Sequence, residues 1–312
     1  MFVKYLKSEL YRASGMKSTY ILLGCMLIVV LITTFMFTKI DYSSFISASD
    51  DDLQEINDAG FSLDAMDTGI EAGKETSVNM YVYTEGSSEG DPVDVQLYGN
   101  GMYRDASLPE LFQESAKVMY DALMCVIFIS LFLGGAYKAG YDKNLIVANG
   151  NRSILFLSRF CVIAFYDLVM LIMMLISTLI ADVMFTGSVS MTSDGSFLRY
   201  IIVSYILLLA FSSVVMAVTI VTRSAAAGNT VGIFLCIGTV SMVCAVVDYI
   251  LIKYLGFPGT FRIADITLSQ NMTVLNLNSD NSIYTRAVIC SLVYLIASVI
   301  SSFVVIEKRD IN

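Results

Sequence analysis

Histidine is absent from the 312 residues, and charged residues make up only 15% of them. Without histidine the chain has no Ser-His-Asp triad, no His-ligated zinc site and no haem with an axial histidine. A soluble domain carries about 25% charged residues, so too little polar surface is present to cover a core drawn from 56% hydrophobic residues. A mean hydropathy of +0.70 excludes a soluble domain or a disordered chain and predicts a membrane protein.

Nucleic-acid binding and ATP hydrolysis are also disfavoured. The 28 acidic residues outnumber the 19 basic ones and give a net charge of −9, which argues against a nucleic-acid partner. A P-loop needs Gly-x-x-x-x-Gly-Lys-Ser/Thr. The nearest string, from Gly69 to Glu75, is one residue too short and ends in glutamate. We therefore predict no catalytic, cofactor-binding or metal site in this chain.

Six apolar runs organise the sequence. A transmembrane helix needs about 20 mostly apolar residues to cross roughly 30 Å of hydrocarbon. All three prolines lie between the runs, which predicts continuous helices. Gly228 and Gly232 lie four residues apart near the start of the fifth run and predict close helix packing within the chain. The six predicted spans are residues 20–37, 119–137, 160–184, 200–221, 230–252 and 287–306.

The basic residues predict the orientation of these spans, because cytoplasmic segments carry an excess of lysine and arginine. Such residues precede the first span, lie between the second and third and between the fourth and fifth, and follow the sixth. An even number of spans places both termini in the cytoplasm of a cell that carries the chain in its plasma membrane. Residues 39–116 are then extracellular, with 17 of the 28 acidic residues, three basic residues and a net charge of −14.

The acidic segment is long enough for a small folded module. Residues 78–83 and 93–97 alternate between apolar and polar side chains, with a Gly/Ser-rich stretch between them, which predicts a β-hairpin. Residues 108–117 have a helical pattern and are expected to run into the second span. The predicted fold class is an all-α membrane protein of six transmembrane helices, with an N-terminal interfacial helix and a small α+β extracellular insertion between helices 1 and 2.

Residues 2–13 have the pattern of an amphipathic helix that lies in the membrane interface with its apolar face down. The helix could be an elbow that leads into the first span or a plain basic anchor that sets the topology, and the pattern leaves both open. The apolar face carries Phe2, Val3, Leu6, Leu10 and Ala13, and the opposite face carries Lys4, Lys7, Ser8 and Arg12.

The loop between the second and third spans contains a predicted short helix, residues 143–149. Asp142 is placed to cap its start and Gly150 to end it, and Arg152 opens the approach to the third span. A short capped helix between two long ones could transmit force from a cytosolic partner to the spans. The alternative is a plain connector whose charges follow the positive-inside rule.

This loop resembles the coupling loop of the permease subunits of type-2 ABC exporters. In that family a Gly-x-x-Lys-Asn piece, here beginning at Gly140, is followed by a Gly/Pro-x-Arg piece at the head of the third span, here ending at Arg152. Residues 223–227 resemble the second, short inner loop of the family. Ala136 stands where the family often has a glutamate shortly before the coupling glycine. The resemblance covers the chain apart from residues 39–116.

The resemblance implies partners that the chain itself does not contain. A separate ATP-binding cassette subunit, which binds ATP and magnesium, would grip the coupling loop. Two permease chains, either a homodimer or this chain and a related one, would enclose the path within the membrane lipid. The residues expected to couple to the ATPase are Asp142, Lys143, Asn144, Leu145, Gly150 and Arg152.

Polar residues inside the spans are the remaining candidates. Asp167 is expected about seven residues, roughly 10 Å, into the third span, where a charge costs about 2.5–3.5 kcal/mol unless it is paired or hydrated. Asp167 and Arg159 could face the translocation path or belong to an ion pair, and a protonated or hydrogen-bonded aspartate is the alternative. Three further aspartates are expected near the outer ends of spans, in contact with water: Asp121, Asp182 and Asp248.

The sequence thus predicts the permease subunit of an ATP-driven exporter that moves an amphipathic peptide or a hydrophobic drug-like molecule out of the cell. The alternative is a membrane sensor or assembly subunit whose extracellular module binds a ligand without transport. The predicted domains are a cytoplasmic elbow helix (1–18), transmembrane helix 1 (19–38), the acidic extracellular module (39–116), and transmembrane helices 2–6 (117–312) with a coupling loop (138–153) and an outer loop (253–285).

Overall fold

The computed structural model describes residues 2–39, 61–63, 78–84, 94–97, 107–141, 152–185, 195–255 and 262–308. These residues are mostly helical. The helices are α1 (Phe2–Gly15), α2 (Lys17–Lys39), α3 (Leu108–Lys117), α4 (Tyr120–Lys138), α5 (Arg152–Phe185), α6 (Gly195–Thr222), α7 (Ala225–Cys236), α8 (Thr239–Leu255), α9 (Leu268–Val274) and α10 (Asn281–Lys308), with a 3-10 turn at Ile263–Ile266 and strands β1 (Phe61–Leu63), β2 (Val78–Thr84) and β3 (Asp94–Leu97).

The molecule is a helical membrane protein. Within the described residues, five helices are long and apolar enough to cross a membrane, and a sixth span is reached if the bent pair α7 and α8 counts as one. The five overlap five of the six predicted runs. They are Lys17–Met36, Tyr120–Lys138, Arg152–Phe185, Gly195–Thr222 and Asn281–Glu307.

The fifth predicted run is not a continuous helix, and that prediction was wrong. Helices α7 and α8 are bent by 55° at a short break. Gly238 has a φ of +76° there, a left-handed conformation that glycine adopts without a steric penalty from a Cβ atom. Its N–H donates to the Leu235 carbonyl at 3.1 Å, as at a helix C-terminus closed by glycine. The bend therefore comes from glycine, and it needs no proline.

Helix α7 packs closely between α4 and α6, as the small-residue pattern predicted. A Cβ atom built on Gly228 would lie 2.0 Å from Thr219 Oγ1, and one built on Gly232 would lie 2.3 Å from a methyl group of Val126. Neither contact leaves room for a side chain. The glycines therefore serve packing inside this chain.

The segment after α8 folds back onto the bend. The Asp248 carboxylate of α8 accepts hydrogen bonds from the backbone N–H groups of Ile263 and Ala264, both at 2.8 Å. Ser241 and Thr267 share a hydrogen bond of 2.7 Å, and the Ser269 hydroxyl of α9 donates to the Leu235 carbonyl at 2.5 Å. These bonds fix the 3-10 turn and α9 against the break between α7 and α8.

The strands form one antiparallel sheet in the order β1-β2-β3, with Val78 opposite Leu97. Their neighbours lie outside the described residues, so the α+β insertion stays a prediction. Helix α3 has the predicted bounds and opens with a capping box, in which the Ser107 N–H donates to Glu110 at 2.8 Å. It does not continue into α4 as predicted, because Met119 takes a left-handed φ of 60° between them.

Candidate functional site

Helix α1 packs against α5 with a face that the sequence pattern did not single out. Tyr5, Glu9 and Ala13 are buried and spaced by four residues, whereas Val3, from the predicted apolar face, is 72% exposed. The helix at residues 2–13 is confirmed, but its predicted division into faces was partly wrong. The face of α1 against the protein carries a carboxylate, and this carboxylate needs a partner.

The Glu9 carboxylate is 0% exposed and binds two arginines. Arg12, one helical turn later, donates Nε–H to Glu9 Oε2 at 2.8 Å. Arg159, which is 3% exposed and belongs to α5, donates Nε–H to Glu9 Oε1 at 3.1 Å. One carboxylate therefore accepts two charge-assisted hydrogen bonds, one within α1 from Arg12 and one from Arg159 that joins α1 to α5. We call Glu9, Arg12 and Arg159 the ion cluster.

Arg12 extends the ion cluster to α4. Its Nη1 donates to the Phe132 carbonyl at 2.9 Å, and its guanidinium carbon lies 3.9 Å from the centre of the Phe132 ring. The centre of the Tyr141 ring lies 5.0 Å from the same carbon. A guanidinium over an aromatic face is attracted by the ring quadrupole, and more so when it is desolvated. The ion cluster therefore contacts three helices.

The end of α4 is shaped to bring Tyr141 to α1. Gly140 has a φ of +62°, and its N–H donates to the Tyr137 carbonyl at 3.2 Å. This left-handed residue ends the helix and redirects the chain, which glycine does most readily. The Tyr141 hydroxyl then lies 2.8 Å from Ser8 Oγ of α1. The last described residue before the 142–151 segment is thus bonded to α1.

The electrostatics of the ion cluster are those of a fixed structural site. Burial lowers the pKa of Arg12, Glu9 opposes that change, and the charge of Arg159 adds to it. An arginine still keeps its proton under these conditions, because its ordinary pKa exceeds 12. Two guanidinium groups therefore share one carboxylate. The arrangement can hold helices together and transmit displacement, and it offers no group for acid or base catalysis.

The predicted coupling residues are only partly described. Arg152 begins α5 and is half-buried. Arg159 lies two turns further along α5, in the ion pair with Glu9. The other predicted coupling residues lie outside the described residues: Asp142, Lys143, Asn144, Leu145 and Gly150.

Asp167 belongs to a second polar cluster, separate from Arg159. Its carboxylate is 0% exposed, and Oδ1 accepts a hydrogen bond from Ser212 Oγ of α6 at 2.9 Å. The Cys125 thiol of α4 also donates to this carboxylate. Asp167 therefore joins α4, α5 and α6, while Arg159 is held by α1.

The three aspartates that were expected in water are buried instead, and that prediction was wrong. Asp121 and Asp182 are 0% exposed and Asp248 is 6% exposed. Asp121 Oδ1 accepts the N–H of Ala122 at the start of α4, where the helix dipole favours a negative group. Asp121 thus binds a backbone N–H group at a helix start, and Asp248 binds two at the 3-10 turn.

Glu9 is the functional residue that sequence reasoning missed. It is the only acidic residue among the first 40, it lies within a basic stretch, and it precedes Arg12 by one helical turn. Those three features indicate a carboxylate kept for a specific partner. Its second partner, Arg159, lies 150 positions away in the sequence, so the pair could not be read from local spacing.

A family described as "Protein of unknown function (DUF2705)" matches residues 96–312, more than half of the chain, and the chain belongs to this family. The match covers α3 to α10 and therefore includes Arg159, Asp167 and the bend between α7 and α8. It does not include α1. Curated proteins gave no match.

Proposed function

We propose that this member of the DUF2705 family is the transmembrane permease subunit of an ATP-driven exporter. The cargo class is an amphipathic peptide or a hydrophobic drug-like molecule that leaves the cell. An ATP-binding cassette partner hydrolyses ATP with magnesium, and a second permease chain, identical or related, completes the path. In this arrangement the bent pair α7 and α8 is the sixth span, both termini are cytoplasmic, and residues 39–116 lie outside the cell.

The observation that carries this proposal is that described residues on both sides of the 142–151 segment are bonded to α1. Tyr141, directly before the 142–151 segment, bonds to Ser8. Arg159, which lies two helical turns after the start of α5, pairs with Glu9. A displacement of this segment by a docked ATPase would therefore move α1, α4 and α5 together, because packed helices and ion pairs form a contiguous network.

The ion cluster also supports the resemblance at the point where the sequence departs from it. Ala136 stands where type-2 ABC exporter permeases often have a glutamate, and its side chain is buried. Here Glu9 supplies a carboxylate at the same end of α4, because Arg12 links it to the Phe132 carbonyl. In the proposed mechanism, α1 is thus an elbow that takes part in coupling, and its role exceeds that of a basic anchor.

Copurification from membranes tests the partner. Leu145→Asp places a charge in the predicted coupling helix, and we expect it to insert normally, lose the ATP-binding cassette protein and abolish transport. Leu145→Met keeps an apolar side chain of similar volume and should retain both. The transport readout is cellular accumulation of a fluorescent amphipathic peptide and of a hydrophobic dye. Normal export by Leu145→Asp would refute the coupling role of this loop.

The link to α1 has its own test. Tyr141→Phe removes the hydroxyl that bonds to Ser8 while it keeps the ring beside Arg12. We expect the partner to copurify in normal amounts, with several-fold weaker stimulation of its ATPase by cargo, since docking persists but transmission is impaired. Tyr11→Phe, on an exposed side chain of α1, is the control. If cargo stimulates the ATPase equally in Tyr141→Phe and Tyr11→Phe, the bond between Tyr141 and α1 has no role in coupling.

The side of the membrane on which each segment lies tests the proposed arrangement of spans. Cysteine-reactive reagents that do not cross membranes should label a cysteine introduced at residue 91 from outside intact cells, and a tag after residue 312 should be reached only after lysis. Opposite sides for the two termini would mean that α7 and α8 do not cross the membrane as one span. A chain that never binds an ATPase and needs residues 39–116 for every activity would instead be a sensor or assembly subunit.

A further inference from the structure

Asp167 is buried near the middle of a long membrane helix. It follows Arg152, the first residue of α5, by 15 positions in a helix of 34 residues, which places it about 22 Å along a helix of about 51 Å at 1.5 Å per residue. Its side chain is 0% exposed. Counted from the start of the apolar run at residue 160, Asp167 lies about 10 Å into the run, as the sequence predicted, and an unpaired charge at such a position is costly.

Within the described ranges, the groups around Asp167 include hydrogen-bond donors and no cation. Ser212 donates to Oδ1 and the Cys125 thiol donates to the carboxylate. The second oxygen, Oδ2, has no nitrogen or oxygen partner among the described residues. In the same part of the chain, the titratable side chains that act on or with Asp167 are Asp121 and Cys125 on α4, Tyr166 on α5 and Tyr205 on α6, and none is cationic.

We infer that Asp167 is a proton-binding site that holds a proton at neutral pH. An ionised carboxylate that is buried without a cation is disfavoured, and such a group takes up a proton instead. The nearest arginine along α5, Arg159, is paired with Glu9. This site lies outside the proposed coupling loop and does not depend on the proposed exporter function.

A metal ion does not fit this site as well as a proton does. Hard cations such as magnesium or calcium take six or more oxygen ligands, whereas here one carboxylate is met by one hydroxyl and one thiol that both donate to it. In the described part of the chain, no group of three or more His, Cys, Asp or Glu side chains could hold a metal. The proton is therefore the ligand that these side chains accommodate.

The proton also affects how three helices pack. Protonated Asp167 is neutral and allows α4, α5 and α6 to stay in contact around it. Loss of the proton would place a negative charge beside Asp121 and the Tyr166 ring in a site without a cation.

Carbodiimide labelling tests the inference on the full chain in lipid nanodiscs. A buried protonated carboxyl adds to dicyclohexylcarbodiimide and rearranges to a stable N-acylurea, which mass spectrometry locates by peptide. We expect the label on Asp167 at pH 7, with loss of the label as the pH rises. Asp167→Asn has the shape of the protonated acid and should fold without that label, and Asp121→Asn should keep the label on Asp167.

A second variant, at the hydrogen-bond donor to Asp167, tests how the labelling depends on pH. Ser212→Ala removes a donor that favours the ionised carboxylate, so the label should persist to a pH higher by about one to two units, the order expected for one hydrogen bond to a charged group. Three results would each overturn the proton site. Asp167 could remain unlabelled at pH 7, or the extent of labelling could be unchanged by pH and by Ser212→Ala. Sodium ions, rather than a high pH, could prevent the labelling.

Discussion

Replacement of Glu9 by glutamine should destabilise the folded chain more than any other single neutralisation of an acid on α1 to α4. The carboxylate is 0% exposed and binds Arg12 and Arg159. Glu9→Gln would leave the buried guanidinium of Arg159 and the partly buried guanidinium of Arg12 without their shared counter-charge. Removal of one partner from a buried ion pair costs about 3–5 kcal/mol, and we expect a loss of this size in the free energy of unfolding.

The measurement is an unfolding titration of the purified chain in mixed micelles with increasing dodecyl sulfate, followed by circular dichroism. Glu114→Gln is the matched control, because Glu114 pairs with Lys117 at 2.7 Å with side chains that are 14% and 19% exposed. Both changes neutralise a carboxylate that pairs with a basic residue three positions later on its own helix, but only Glu9 also binds an arginine of a second helix. Partly exposed pairs contribute about 0–1 kcal/mol, so the two losses should differ by more than about 2 kcal/mol.

A triple variant separates lost attraction from lost packing. It replaces the ion cluster with apolar side chains of similar length through Glu9→Met, Arg12→Met and Arg159→Met. Replacement of a whole buried ion cluster is often neutral or stabilising, so the triple variant should be more stable than Glu9→Gln alone. The reasoning fails if Glu9→Gln costs no more than Glu114→Gln, or if the triple variant is the least stable of the three.

Further predictions concern the packing of α7 and the anchoring of the 3-10 turn. Gly228→Ala should cost about 1–3 kcal/mol of unfolding free energy, because its Cβ would lie 2.0 Å from Thr219 Oγ1, whereas Gly135→Ala, which meets nothing within 4 Å, should not destabilise. Asp248→Asn loses one of two charge-assisted bonds to the turn and should cost about 1.5–3 kcal/mol and raise the labelling rate of a cysteine introduced at position 263. Asp265→Asn breaks only an ion pair whose side chains are 32% and 34% exposed and should change either readout little.

The hydropathy of the chain was sufficient to predict most of the membrane helices. Apolar runs of this length have few alternatives in a chain with 15% charged residues, so five of the six runs correspond to helices that could span a membrane. The ends were less predictable: α5 begins at Arg152, eight residues before the apolar run that predicted it. Helices continue beyond the apolar run when their flanking residues are compatible with helix, and hydropathy does not record this.

The bend in the fifth run was missed for a different reason. Gly238 lies inside an apolar stretch, where glycine is compatible both with a packed helix and with a break. Only the bonds that follow, from Asp248 to the 3-10 turn and from Ser269 to the Leu235 carbonyl, show why the break is stable here. These partners are 15 to 34 residues away from one another in sequence, beyond the reach of a local pattern.

The ion cluster was the least predictable feature. Arg159 was selected as a candidate because it is a charge at the head of a span, but nothing near it in sequence indicates a partner. Glu9 was on neither face of the predicted amphipathic helix and was not among the predicted site residues. Pairing them requires the packing of α1 along α5, which is a tertiary fact, and a buried charge could be recognised only once that packing was known.

The length of α5 has a consequence for how a force would reach α1. The eight residues from Arg152 to Arg159 extend α5 by about 12 Å ahead of its apolar run, residues 160–184. Glu9 is bonded to Arg159 at the base of this extension, so α1 is fixed against this end of α5. The start of α5 therefore extends about 10 Å past the residue that α1 holds, so a force applied at Arg152 would act on α1 through a short rigid arm.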